Sequence, residues 1–97
     1  MTPSAPHGEF AALPGAELVS KGVDDLKRGV ESHESLLVSI GAPRLRRLGF
    51  ALPPAIASPE HRLYARLAEQ DPDSAHSRYN ALVRRLVSFE RAAECVR

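Results

Sequence analysis

The sequence predicts an all-α fold, a small bundle of four to five helices ending in a long heptad-patterned one. Three observations lead there. Apolar residues recur at three- and four-residue steps in several separate segments. No segment alternates apolar and polar residues with β-branched enrichment, so strands are not expected. Serine or aspartate followed by proline stands where new helices would open. The chain has 97 residues, and at that length only about 60–65% of the unfolded surface is buried on folding. One modest core and one domain, residues 15–97, are therefore expected.

Residues 1–14, MTPSAPHGEFAALP, hold three prolines and no periodicity, and predict a disordered lead. A first helix is predicted from Ala16 to Val30, with Val19, Val23, Leu26 and Val30 on one stripe and Leu18 beside it. Gly22 and Gly29 each weaken that helix by about 1 kcal/mol relative to alanine. Ser32 caps a second helix that ends at Ile40, with Leu36, Leu37 and Ile40 inward. Pro43 opens a short third helix that stops at Gly49. Phe50 to Ala57 carries no charge, and Pro53 and Pro54 hold it extended; such a connector lies on its own core or on a partner. Ser58-Pro59-Glu60 starts a fourth helix with Leu63, Tyr64, Leu67 and Ala68 inward, ending near Gln70. After Asp71-Pro72-Asp73 comes the longest element. Ala75, Tyr79, Leu82, Leu86, Phe89, Ala93 and Val96 form an unbroken 4,3 seam there, suited to a bundle core or to a coiled-coil dimer.

Composition removes several function classes. No apolar run approaches the roughly 20 residues that span a bilayer, so no membrane association is expected. MTPSAPHG lacks the charged and apolar regions of a secretory signal. The single cysteine, Cys95, cannot build a disulfide framework or a multi-thiolate zinc site, and fits a reducing, cytoplasmic setting. A net charge of +1 is too small for a polybasic nucleic-acid arm, and five aromatic residues are too few for a base-stacking platform. No catalytic residues, cofactor or metal site are expected. His7, His33, His61 and His76 have no three- or four-residue spacing that would put two ligands on one helix face. Arg28 and His33 have the arginine, four residues, histidine spacing of a class of helical ribonucleases. Here, however, a glycine follows the arginine and the histidine falls at a helix junction.

The charge is unevenly placed. Residues 1–41 carry three basic and six acidic side chains, and residues 42–97 carry ten and six. A helical ion pair needs its partner three or four positions away. Arg44, Arg46, Arg47, Arg78, Arg84 and Arg85 have no carboxylate at those offsets. They either form a solvated face, pair across the bundle with Asp24, Asp25 and Glu31, or offer a surface to carboxylates or phosphates, both of which arginine binds bidentately.

Two stretches, SLLVSIGAPRLRRLGF and HSRYNALVRRLVSFERAAE, resemble small helical antitoxins partnered with nucleotidyltransferase-type toxins. The resemblance implies an inhibitor that neutralises a cognate toxin by direct complex formation. It carries over no functional residue, and neither a ribbon-helix-helix strand nor a clear helix-turn-helix is evident. The expectation is a non-enzymatic binding module. Its anchors are Phe50, Leu52 and Ile56 on the stiff connector, and its charges are Arg47, Arg84 and Arg85. The partner is a cognate toxin or another enzyme, with a homodimer as a further state. The alternative is a small nucleic-acid-binding transcriptional regulator using Arg44, Arg46, Arg47, Arg84 and Arg85 on phosphates.

Overall fold

A computed structural model of the chain describes residues 10–96, and residues 1–9 and 97 lie outside it. The described residues form five helices and no strand: α1 Ala16–Lys27, α2 His33–Ile40, α3 Ala42–Arg47, α4 Pro59–Gln70 and α5 Ala75–Val96. Helix α1 packs chiefly on α2, α2 on α4, and α4 on α5, with α5 closing back on α1 and α2.

Helix α1 ends three residues earlier than its apolar stripe predicts. Gly29 takes φ +73°, the Val30 N–H donates to the Asp25 carbonyl at 2.8 Å and the Gly29 N–H to that of Leu26 at 3.1 Å. This left-handed C-terminal turn satisfies the last carbonyls and swings Val30 out to 43% exposure. Gly49, at φ +108°, ends α3 the same way, with the Phe50 N–H bonded to the Leu45 carbonyl. That turn drives Phe50 inward.

The α1–α2 junction is held by a buried carboxylate. Asp25, 2% exposed, accepts from Lys21 Nζ at 2.7 Å, Ser32 Oγ at 2.7 Å and Arg28 Nη2 at 2.9 Å. Burial works to raise its pKa, but these three donors outweigh it and hold the carboxyl at about 2. Ser32 also caps α2 as its position predicts, accepting from the Ser35 N–H at 3.0 Å while Ser35 Oγ accepts from the Ser32 N–H at 2.7 Å. Gly22 lies where α1 crosses α2. A Cβ there would overlap the Glu34 carbonyl and Val38 Cγ2, so the residue that weakens the isolated helix permits its closest packing.

The core gathers all three phenylalanines. Phe10 stacks on Phe50 at 5.7 Å between ring centroids, and both meet Phe89 edge-on at 6.0 Å. Phe10 is fully buried, so the part of the predicted lead that is described, residues 10–14, is docked on the core. Its apolar Phe10 and Leu13 carry that docking, and the disorder expected for 1–9 falls outside the described residues.

Ser58 does not cap α4: it sits at φ +49° and its side chain accepts no backbone hydrogen bond. Pro59 at the first position, with its fixed φ and missing N–H, opens that helix instead. Leu63 and Leu67 are buried, Ala68 is half-buried, and Tyr64 is turned out at 40% exposure against Tyr79 and His76. In α5 the seam is core at Ala75, Leu86, Phe89 and Ala93, and half-buried at Tyr79 and Leu82. Val96, 50% exposed, runs past the bundle.

Candidate binding surface

The arginines separate into three groups. Arg28 is bound to Asp25 and lies near Asp24, while Arg62 and Arg66 converge on Glu31 from α4. Asp24, Asp25, Glu31 and Glu34 are thus met by Lys21, Arg28, Arg62 and Arg66, and not by the six arginines that lack helical partners. Two of those six are tied elsewhere. Arg44 pairs with Glu94 through Nε at 2.7 Å and Nη2 at 2.8 Å, and its Nη1 reaches Glu90 at 3.3 Å. Arg46 Nη2 donates to the Pro53 carbonyl at 2.9 Å.

Of the other four, Arg47 also interacts within the fold and Arg78 is half-buried near His33, which leaves Arg84 and Arg85. Both are exposed on α5, and neither has an ion pair or side-chain hydrogen bond among the described residues. From Asn80 to Arg91 the only acid is Glu90, 4% exposed and turned inward. Two shallow depressions flank Arg84. One is lined by Pro14, Gly15, Ala81, Arg84, Arg85 and Ser88. The other is lined by Asn80, Val83, Arg84, Val87, Ser88 and Arg91. A third hollow between α3 and α5 shares Val83 and Val87 with the second and has exposed Arg47 on its rim.

The apolar half of the expected site is placed differently. Phe50, 8% exposed, is a core residue and no anchor for a partner. Leu52 and Ile56 are half-buried against the same core. The connector is fastened down: the Ile56 N–H donates to Ser39 Oγ at 3.1 Å, and Arg46 holds the Pro53 carbonyl. Its lack of charge reflects contact with its own bundle. Phe50, Leu52 and Ile56 therefore do not join Arg47, Arg84 and Arg85 in one open patch. Reading the sequence missed Val83 and Val87, which stand beside the seam at core-flanking positions; their pairing with arginines at 84 and 91 was the available signal.

Glu90 is a second feature the spacing did not expose. Its Oε2 is buried without a hydrogen-bond partner, and Gly41 gives it room, since a Cβ at that glycine would lie 2.6 Å from Oε2. Burial pushes the carboxyl up, against the opposing pull of Arg44. His33 Nε2 is likewise buried and unpartnered, and burial with the nearby Arg66 and Arg78 lowers its pKa. Arg28 is committed to Asp25, so the Arg28–His33 spacing does not place two free groups around an open site. Among the described residues no three His, Cys, Asp or Glu side chains group to hold a metal, and Cys95 is exposed. No described helix is long and apolar enough to cross a membrane. The fold and this surface define a small all-α domain with a basic face on its last helix. Comparisons with known protein families, with curated proteins and with solved structures find no match for the chain.

Proposed function

We propose that this chain is a non-enzymatic protein-binding module, an antitoxin-like inhibitor that holds a cognate nucleotidyltransferase-type enzyme in a complex. The observation that carries the binding reading is the pair Arg84 and Arg85, exposed beside two depressions on a helix face with no exposed acid from Asn80 to Arg91. Exposed arginines of this kind are common interface hot spots, because one guanidinium takes a carboxylate bidentately and also covers apolar surface. The resemblance of residues 35–50 and 76–94 supplies the class of enzyme to test first. The nucleic-acid alternative is weakened by its own residue set: Arg44 and Arg46 are already bound within the fold. The heptad seam is occupied by the bundle core, so a dimer through it would have to open the domain.

The test is co-expression with the product of the neighbouring gene, followed by pull-down and growth rescue. Arg84→Ala combined with Arg85→Ala should stay folded and bind at least about tenfold more weakly, as expected of an interface hot spot. Unchanged affinity and rescue would reduce the arginine pair to a solvated face. A phosphate binder would instead lose affinity for nucleic acid with a steep linear log–log salt slope.

A further inference from the structure

We infer that His33 is a proton-operated latch on the first turn of α2: charging its ring pushes that turn away from α4 and α5 and loosens the bundle in mild acid. The latch is independent of the binding reading above.

His33 is the first residue of α2, directly after the Ser32 cap, and α2 packs on both α4 and α5. Its Nε2 is buried without a hydrogen-bond partner. Neutral, the ring can leave Nε2 as its bare nitrogen; charged, both ring nitrogens carry protons, and Nε2 has no acceptor in place. Cations from two helices stand around it. Arg66 of α4 has its own Nε buried and unpartnered, and Arg78 of α5 is half-buried with no ion pair among the described residues. Both act on the ring against its protonation. The helix end has the same sign, because aligned peptide dipoles put partial positive charge on a first turn.

The nearby carboxylates offer little to offset this. Glu34 favours the charged ring, but it also lies 3.6 Å from Lys21 Nζ on α1. Glu31 holds Arg62 at 2.9 Å and reaches Arg66 at 3.7 Å. Asp25 of α1 is taken by Lys21, Arg28 and Ser32, and Glu60 of α4 acts on Tyr79. One shared carboxylate thus stands against burial, two guanidiniums and a helix end.

The sign of the pH dependence follows. Burial, then Arg66 and Arg78, lower the folded-state pKa below the ordinary histidine value of 6.5, so the unfolded chain takes up the proton first. The stabilising contribution is present above that value and is lost as pH falls through the folded pKa. Asp25 and Glu90 also titrate, but both are retained in His33 variants and cancel in the comparison with wild type.

The test is an NMR titration of the imidazole signals of the full chain, with melting curves from about pH 8 to about pH 5, the range in which histidine changes charge. The chain has four histidines, and His33→Gln identifies the signal. The His33 ring should titrate below 6.5, and the Glu34 and Ser35 amides should shift with the same midpoint. Wild type should lose several degrees more than His33→Gln on acidification. Arg78→Gln, which keeps the histidine, should move the midpoint up and shrink the acid loss, so the latch stays testable if His33→Gln does not fold. A ring that titrates at or above 6.5 would overturn the latch. So would equal acid loss in wild type and His33→Gln, or a midpoint unmoved by Arg78→Gln.

Discussion

Arg44 and Glu94, fifty residues apart, face each other as a planar pair, Nε to Oε2 at 2.7 Å and Nη2 to Oε1 at 2.8 Å. The third guanidinium nitrogen reaches past this pair to Glu90 Oε1 at 3.3 Å. One arginine from α3 thus meets an exposed carboxylate and a buried one on α5, and the two differ in what their loss costs.

Glu94→Ala should leave stability almost unchanged, because its carboxylate is 47% exposed and solvent replaces most of what is lost. Arg44→Ala should cost measurably more, because it leaves the buried Glu90 oxygen without its donor. Urea denaturation of both variants measures the difference. Equal costs would mean that Glu90 draws nothing from Arg44.

Glu90→Gln tests the buried carboxyl from the other side. Burial raises its folded-state pKa above the ordinary glutamate value of 4.5. The group's stabilising contribution is then full below that value and is lost as pH rises through the folded pKa. Wild type should therefore lose stability across that window, while the glutamine variant should not. At pH 7 its melting temperature should equal or exceed that of wild type. A drop of several degrees would show that the ionised carboxylate is the favoured occupant.

Asp25 has the opposite sign. Its folded pKa, about 2, lies below the ordinary aspartate value of 3.8, so its stabilisation is present above about 4 and disappears as pH falls towards 2. Asp25→Asn should cost about 2–3 kcal/mol at pH 7, the loss of charge-assisted hydrogen bonds at a buried site. The gap between variant and wild type should close near pH 2, and a gap that stays constant with pH would remove Asp25 as the ionised centre of the α1–α2 junction.

The fold was legible where local chemistry decides it. Ser32 caps α2, Pro59 opens α4, and the 4,3 spacing of α5 puts Leu86, Phe89 and Ala93 in the core. It was not legible where distant segments decide it. Nothing near Phe10 announces a partner; its burial depends on Phe50 and Phe89, forty and seventy-nine residues further on. The same holds for the site. Local spacing identified Arg84 and Arg85 as unmatched, but it could not see that Glu94 takes Arg44 across the bundle, or that the connector folds onto Ser39.

Seam position alone does not set energetic weight. Leu86→Ala should cost about 2–4 kcal/mol, since Leu86 is 2% exposed and its deletion leaves a cavity. Val96→Ala, on the same 4,3 register but 50% exposed, should fall within about 0.5 kcal/mol of wild type. Thermal or urea unfolding of the pair separates register from burial, and equal costs would place Val96 in the core.

Gly22→Ala sets helix propensity against packing. In an isolated helix alanine is better than glycine by about 1 kcal/mol, so the sequence alone makes this substitution stabilising. In the fold, the new Cβ would overlap a backbone carbonyl, that of Glu34, as well as Val38 Cγ2. A side chain can rotate away, but the Glu34 carbonyl belongs to the first turn of α2, which Ser32 and Ser35 fix by their reciprocal caps. Relief therefore requires α1 and α2 to separate, which loosens the packing of Val19, Val23, Leu36 and Val38 along their contact. The expected result is a net loss of about 1–3 kcal/mol, the usual range for overpacking a tight site. Gly29→Ala, at φ +73° with nothing within 4 Å of the new Cβ, should lose about 1 kcal/mol through backbone strain alone. A stabilised Gly22→Ala protein would show that α1 and α2 do not approach as closely in solution as this crossing requires.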